Sequence, residues 1–289
     1  MERNQINEIA LPNAPIVITS DTSFKQSANV LFNFMPKLEY LTRKLSQLAM
    51  IPRYYEESIE YLELDGLEKV AFPMVCFCDI HLNRLTNHMG KAGSEVGYGR
   101  FGIGMDKTWG ISNGVQPIGY INTSSSLIND YKISFQRGLI QESQDIGDEV
   151  FRNYLTTQLL YIKPLYGAML KKRDDRVSRL EKNFHDEREW RFVPNFSNVT
   201  TELELIIPQD EMVNNANNTV CEAYSKGLEE REELWLKFQY EDIKYLIVDT
   251  NEDRILLIDF IMNELNINQS EKLVLISNII VFTQIEKDW

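Results

Sequence analysis

The sequence predicts an α+β fold, because strands and helices are expected to follow one another without regular alternation. Short apolar runs are typical of strands, and the first of them spans residues 30–34. Apolar residues at helical spacing then predict an amphipathic helix, and they are Leu38, Leu41, Leu45 and Leu48. The order of elements lacks the strand–helix–strand repeat of a doubly wound parallel sheet, so that fold is not predicted.

The remaining apolar patterns extend this mixture along the chain. Strands are predicted over 70–78, 101–105, 117–121, 187–193, 203–207, 243–248 and 278–283. Helices are predicted over 82–89, 150–170 and 252–265. Residues 123–149 are polar and are predicted to form a loop or an inserted hairpin. We therefore predict a single domain over residues 1–289, with polar insertions near 123–149 and 209–235.

Composition restricts the class of protein and its location. With 43% hydrophobic residues, a chain of 289 residues can build a sizeable core. The net charge of -13 argues against a tight, sequence-independent grip on DNA or RNA, which needs a basic surface. No apolar run is long enough to cross a bilayer, and the first residues lack the apolar core of a signal peptide. With three cysteines, which cannot pair evenly, a cytoplasmic location is expected.

The strand predicted over 187–193 carries charges on one side. Because side chains alternate along a strand, Glu187, Glu189 and Arg191 would share one face. Trp190 and Phe192 would share the other face and pack in the core. Buried charges need partners or a ligand, so the charged face is either a salt-bridge network or a site. As a site, it would hold a sugar hydroxyl and stabilise positive charge during cleavage of an N-glycosidic bond.

Two thiols and two imidazoles lie close together in the sequence. The four side chains are Cys76, Cys78, His81 and His88, which would suit zinc if they converged. Their spacing does not match a standard zinc finger, and buried cysteines commonly act as small apolar residues. We therefore predict no metal site, and a zinc-dependent nuclease or deaminase is the third-ranked alternative.

Two further segments have both a structural and a functional interpretation. The glycine-rich residues 90–114 favour turns and close strand packing, although a backbone cradle for a nucleotide is the alternative. The basic run 171–173, continued by Arg176 and Arg179, is expected at a solvated helix end. Its alternative is a docking patch for a phosphate-bearing target.

Several segments in order resemble the AbiGi abortive-infection family of bacterial anti-phage loci. The matching segments are 31–34, 52–54, 73–80, 102–110, 117–121, 187–191 and the closing strand. The block from 73 to 121 is the most specific part of this resemblance. The order of parts is also similar to the ADP-ribosyltransferase fold, including DarT-like toxins, which implies a split β-sheet with flanking helices.

The second resemblance implies a cofactor and roles for individual residues. The cofactor would be NAD, with Glu189 as the catalytic glutamate and Glu187 as the residue that orients the acceptor. Asn33 would stand where the family places a polar residue on the nicotinamide ribose. Arg53 or Arg191 would hold the pyrophosphate. Further contacts with the cofactor would come from Tyr54, Tyr55 and Asp79.

These roles together imply a toxin of an anti-phage system. The expected activity is an NAD-dependent ADP-ribosyltransferase that modifies a macromolecular acceptor, which is RNA, DNA or protein. The expected partners are this acceptor, a cognate antitoxin and a chaperone, with no membrane. The alternative is a non-catalytic antitoxin or phage-sensing protein of the same family.

Overall fold

A computed structural model describes residues 24, 26–90, 97–140, 146–173, 176–197, 199–209 and 219–288. The strands are β1 Val30–Met35, β2 Ala49–Met50, β3 Arg53–Ser58, β4 Lys69–Cys78, β5 Phe101–Asp106, β6 Gln116–Pro117, β7 Gly119–Ile121, β8 Ile162–Pro164, β9 Tyr166–Arg173, β10 Arg176–Asn183, β11 Glu189–Phe192, β12 Ile207–Pro208, β13 Leu236–Lys237, β14 Ile243–Val248 and β15 Ile279–Val281. The α-helices are α1 Leu38–Gln47, α2 Leu85–Met89, α3 Lys107–Ser112, α4 Leu127–Phe135, α5 Ile146–Leu160, α6 Thr219–Glu229, α7 Asn251–Asn263, α8 Gln269–Ser277 and α9 Phe282–Asp288. This mixture of elements confirms the predicted α+β class.

The central sheet has the strand order β15-β14-β5-β1-β4-β11-β6, and β3 and β12 also pair with β4. In the described part of the chain its pairs are antiparallel, apart from the parallel pair of β14 and β15. The longest strand, β4, therefore organises the sheet. Near its end, Cys78 lies between Phe32 of β1 and Glu189 of β11.

The ladder between β1 and β4 is short and leaves a gap. The register of β1 with β4 consists of one residue pair, Phe32 with Cys78. The strand β3 pairs with residues 69–74 of β4, and this pairing therefore ends at Met74. Between these two points the carbonyl of Cys76 accepts a hydrogen bond from the side-chain amide of Asn33, at 2.8 Å. We call this region the ladder gap, because a side chain there replaces a backbone partner.

Apolar side chains cover both faces of the sheet. On the first face, α1, α7 and α8 pack over β1, β5 and β14, in a core that contains Leu31, Leu41, Phe77, Ile103, Leu246, Leu257 and Leu275. On the second face, α4 and α5 pack against β4, in a core that contains Phe72, Met74, Ile128, Phe135, Leu155 and Leu159. Alternation along β4 separates these sets, since Phe77 points to the first face and Phe72 and Met74 to the second.

The glycines of β5 permit close packing of aromatic rings. Gly102 pairs with Phe34 and Gly104 with Phe32. A Cβ atom on Gly104 would lie 2.8 Å from the Phe32 ring, and one on Gly102 would lie 3.0 Å from the Phe34 ring. At these two positions the structure supports the strand-packing interpretation of the glycine-rich segment.

Three predicted elements differ from the observed ones. The helix predicted over 150–170 ends at Leu160, and β8 follows, because Pro164 favours an extended Lys163. The basic run therefore belongs to the hairpin of β9 and β10, and the expectation of a helix end was wrong. Where a loop or hairpin was predicted, residues 127–135 form α4 and residues 146–149 begin α5, while 141–145 lie outside the described residues. Ile128 and Phe135 are buried seven positions apart, as helical packing requires.

In the C-terminal half, one predicted strand is nearly absent and three predicted elements are present. In place of a strand over 203–207, only Ile207–Pro208 pairs with β4. The strands predicted over 243–248 and 278–283 correspond to β14 and β15, and the helix predicted over 252–265 corresponds to α7. The patterns did not predict β3, α6 or α8.

Candidate functional site

The strand β11 begins at Glu189, two residues later than predicted. Residues Phe184–Glu187 form a 3₁₀ turn, and Arg188 adopts a left-handed conformation with φ of 45°. This break in the alternation separates Glu187 from the face of Glu189 and Arg191, so the predicted three-residue charged face was wrong. Glu189 and Arg191 are more deeply buried than Trp190 and Phe192, which pack against the first-face core.

Two buried and two partly buried charges form a closed ring on the second face of the sheet. Arg191 contacts Glu189 at 2.6 Å and Glu57 of β3 at 3.1 Å. Lys163 of β8 contacts the remaining oxygen of each carboxylate, at 3.0 Å from Glu189 and 3.3 Å from Glu57. The ring therefore alternates two cations with two anions and carries no net charge. Arg191 also donates to the carbonyl of Leu160, at 2.9 Å.

The ring favours the charged forms of Glu189 and Lys163. Burial by itself would raise the pKa of the Glu189 carboxyl, but Arg191 and then Lys163 outweigh it, so the pKa lies well below its ordinary value. Burial likewise opposes the charge on Lys163, and Glu189 and Glu57 outweigh it to raise the pKa of the ammonium. Each oxygen of Glu189 contacts a cation and the residue is buried, so little of the carboxylate is open to a substrate hydroxyl.

The depressed pKa of Glu189 predicts an acid-dependent loss of stability. A group with a folded pKa below its ordinary value of 4.5 stabilises the protein fully above that pH, and the stabilisation is lost as the pH falls. Wild type should therefore exceed Glu189→Gln in free energy of unfolding at pH 7. This difference should shrink below pH 4.5 by about 1.4 kcal/mol per pH unit. Urea unfolding at pH 7.0 and about pH 3.5 measures it.

The matched control for this prediction is Glu230→Gln, which removes an exposed carboxyl outside the ring. For this variant the difference from wild type should stay small at both pH values. A Glu189→Gln difference that does not change with pH would contradict the assigned charge state of the ring.

Glu187 belongs to a neighbouring cluster. Its carboxylate accepts a hydrogen bond from the Tyr98 hydroxyl and forms an ion pair with Lys182. Burial and then Glu187 raise the pKa of Tyr98, so the phenol keeps its proton. Tyr120 contacts the start of β11, where its hydroxyl accepts a hydrogen bond from the backbone N–H of Glu189 at 2.8 Å. Glu187 and Glu189 therefore approach the same end of β11 from different elements.

A thiol and an imidazole meet beside this cluster. The Sγ atom of Cys78 lies 2.7 Å from Nε2 of His88, whose ring stacks on Tyr98. Burial and then Glu187 raise the pKa of the Cys78 thiol, and burial and then Lys182 lower the pKa of His88 to about 4. Both groups are therefore neutral near pH 7, which does not favour a nucleophilic thiolate.

The four residues of the zinc alternative do not converge. His81 is exposed, and its Nε2 lies 3.4 Å from the carbonyl of Gln26. Cys76 points to the same face of the sheet as Cys78, and burial and then Glu189 raise the pKa of its thiol. Within the described ranges, no group of three or more His, Cys, Asp and Glu side chains has a geometry that could hold a metal ion.

The predicted cofactor residues do not lie together in one place. Asn33 belongs to the first face of the sheet, between Leu31 and Met35, and its side-chain oxygen accepts from Lys44 at 2.6 Å. Glu189 lies on the second face, beyond β4. The structure therefore does not bring Asn33 and Glu189 together in one cleft.

The neighbouring tyrosines of β3 point in opposite directions. Tyr54 is buried against α6, where its backbone N–H donates to Ser225 at 3.0 Å and its hydroxyl donates to the carbonyl of Glu204 at 2.5 Å. Tyr55 is half-exposed, and Arg53, two residues earlier on the same side, is exposed as well. Of the two tyrosines, only Tyr55 presents its ring to solvent.

Asp79 forms a separate buried ion pair. Its Oδ2 lies 2.7 Å from Nζ of Lys107, which also donates to Ser27 and to the carbonyl of Ala28. The ammonium lies 4.9 Å from the centre of the Trp190 ring. The other oxygen, Oδ1, is buried and has no hydrogen-bond partner in the described part of the chain. Asp79 thus anchors the segment before β1 to the sheet.

Sequence reasoning missed the residues that complete these clusters. They are Lys44, Glu57, Tyr98, Lys107, Lys163 and Lys182. A weak signal existed for Lys163, a charged residue between Ile162 and Pro164 in an otherwise apolar stretch. The other five lie in segments whose composition resembles ordinary surface.

None of the helices in the described residues is both long enough and apolar enough to span a bilayer. No solved structure matches the chain. Residues 48–249 match the model of a family described as abortive phage resistance protein AbiGi, antitoxin. The chain is 37% identical over 256 residues to the abortive phage resistance protein AbiGi of Lactococcus lactis subsp. cremoris, an alignment that covers 84% of this chain and 100% of that protein. The chain therefore belongs to the AbiGi family of abortive phage resistance proteins.

Proposed function

We propose that this chain acts in anti-phage defence as an antitoxin, which neutralises a partner protein by binding it and does not catalyse a reaction. The observation that supports the proposal is the closed ring of Glu57, Lys163, Glu189 and Arg191. A carboxylate that stabilises an oxocarbenium-like transition state must offer an oxygen atom to the sugar. In the ring, both oxygens of Glu189 are already bound to cations.

The charge of the chain and the family description agree with this role. The family model that matches residues 48–249 carries the description antitoxin. A net charge of -13 favours association with a basic protein, because complementary charges steer encounter. The expected partner is therefore a toxin of the same defence system with a basic contact surface.

Co-expression with the toxin of the same defence system tests the proposal. Cell growth should be restored by the wild-type chain, and the two proteins should elute together in size-exclusion chromatography. The Glu189→Gln variant, checked first for soluble folded protein, should behave like wild type. Growth arrest by this chain expressed alone, or rescue without a complex, would contradict an antitoxin role.

ADP-ribosyl transfer from NAD is the second candidate. One observation favours it, since both glutamates contact tyrosine hydroxyls near the start of β11: Glu187 accepts from Tyr98, and the backbone N–H of Glu189 donates to Tyr120. In this hypothesis Glu189 would leave the ring to contact the ribose, and Glu187 would orient the acceptor. Incubation of the wild-type chain and Glu189→Gln with labelled NAD and cell extract separates the two candidates. Label transfer that the variant lacks would support the transferase, and no transfer with no loss of NAD would exclude it under those conditions.

A further inference from the structure

Two of the helices that cover the first face of the sheet expose large aliphatic side chains. These side chains are each more than half exposed, and they are Ile255 and Leu256 of α7 and Leu273 and Val274 of α8. We call them the α7–α8 patch. A single exposed apolar side chain is ordinary, whereas a group of them on neighbouring helices is typical of an interaction surface.

The buried contacts of α7 and α8 direct the patch away from the sheet. Leu257 and Leu275, which each directly follow one exposed pair, are buried in the same core of the first face. An α-helix turns by about 100° per residue, so the residue two positions earlier points about 200° away from that core. The helices also contact each other, since Lys272 of α8 donates to the carbonyl of Met262 of α7 at 2.7 Å. The two exposed pairs therefore belong to one outer surface.

The exposed charges beside the patch are acidic. Glu252 and Asp259 are exposed, and they lie three positions before and four positions after Ile255, on the same side of α7. Throughout residues 251–277, all of which the structure describes, every exposed charged side chain is a carboxylate. The two cations of this segment are only partly exposed. The patch is therefore apolar with a negatively charged rim.

The negative rim distinguishes between two kinds of occupant. A symmetric dimer with a two-fold axis at this patch would bring two negative rims together, because the same surface of each copy takes part. Such contact between like charges opposes association. A protein with apolar residues surrounded by lysines and arginines would instead bury the aliphatic side chains and meet the carboxylates with opposite charges. The charge therefore favours a basic partner protein over a second copy.

We propose that the α7–α8 patch is the surface with which this chain binds its toxin, and that the toxin meets it with an apolar surface that has a basic rim. The inference rests on the proposed antitoxin function and adds the location and the chemistry of the interface. Burial of the aliphatic side chains supplies affinity, and the acidic rim speeds encounter with a basic protein. The ring lies on the second face of the sheet, so this interface does not involve it.

Surface plasmon resonance with the purified toxin of the same defence system tests the aliphatic part of the patch. The double variant Leu256→Gln with Val274→Gln should lose about tenfold or more in affinity, mainly through faster dissociation, because two apolar contacts are removed. The matched control is Leu127→Gln with Ile133→Gln, two exposed aliphatic residues of α4 on the other face of the sheet. This control should bind the toxin like wild type.

The variant Asp259→Lys tests the acidic rim. Its association rate should fall about tenfold at low salt, and the difference from wild type should shrink as sodium chloride is added. The matched control is Glu230→Lys, which reverses an exposed carboxylate in the turn after α6, outside the patch. This control should change the association rate much less. Equal losses in the two variants would contradict a role of this rim.

The result with the wild-type chain separates a failure of the interface from a failure of the antitoxin role. No complex of wild type with the toxin would overturn both proposals. A wild-type complex together with unchanged affinity of the α7–α8 double variant would overturn the interface alone. A dimer of the chain by itself that the double variant lacks would also overturn it, because a second copy would then be the occupant. Urea unfolding should show wild-type stability for the double variant, and otherwise Ile255→Gln with Leu273→Gln replaces it.

Discussion

Replacing Arg191 with methionine should lower the free energy of unfolding by about 3–5 kcal/mol, the usual cost of breaking a buried ion pair on one side. The side chain is fully buried and contacts both Glu189 and Glu57. Methionine would fill much of the same volume, but it would leave the carboxylates of Glu189 and Glu57 to share the single ammonium of Lys163. Chemical unfolding of wild type and variant, followed by circular dichroism, measures the loss.

The control for this prediction is an arginine with an exposed partner. Arg43 pairs with Glu229 at 2.8 Å, and their side chains are 45% and 44% exposed. Arg43→Met should therefore cost at most about 1 kcal/mol. An Arg191→Met cost as small as this would contradict the assigned ring. If Arg191→Met does not fold, Arg191→Lys should fold with a smaller loss, because it keeps the charge and shortens the reach.

Replacing Lys107 with methionine should have a similarly large effect, about 3–5 kcal/mol. Lys107 is 1% exposed and is paired with Asp79, whose other oxygen has no hydrogen-bond partner among the described residues. Without the ammonium, the whole carboxylate would be buried and unpaired. Unfolding in urea measures the change, and the second substitution Asp79→Leu should recover part of it, because it removes the unpaired charge.

Lys244→Met is the matched control for the second prediction. Lys244 pairs at 3.3 Å with Asp106, the residue before Lys107, but the two side chains are 43% and 32% exposed. Solvent screening makes such a pair weak, so the cost should stay below about 1 kcal/mol. Equal costs for the two lysine variants would show that the Asp79 pair is not effectively buried.

Elements with a local apolar signal could be predicted from the sequence. The strands β1, β4 and β14 and the helix α1 have apolar residues at their own periods, and the structure contains all four. By contrast, β3 reads Arg-Tyr-Tyr-Glu-Glu-Ser, which resembles an exposed loop. It is a strand because it pairs with six residues of β4. A local sequence pattern carries no information about such a pairing partner.

The residues of the candidate site were likewise predicted only where the signal was local. Alternation predicted that Glu189 and Arg191 share a face, and they form a direct ion pair. The rule that buried charges need partners was also confirmed, but the partners themselves were not predicted. Glu57 is 134 positions from Arg191 in the chain, so its identity depended on the tertiary fold. Arg188 adopts a left-handed conformation and so separates Glu187 from Glu189. Glycine or asparagine at this position would have predicted that conformation, but arginine does not.

The strand order has a consequence for synthesis of the chain. The early strand β5 pairs with β14, and β14 pairs with β15, both of which come from the last fifth of the sequence. On the ribosome, β5 is therefore complete long before the strand that covers its edge has been translated. Until then it exposes unpaired backbone groups, which can add a strand from another chain. A nascent chain of this protein should accordingly need shielding by a chaperone, or rapid completion, to avoid aggregation before release.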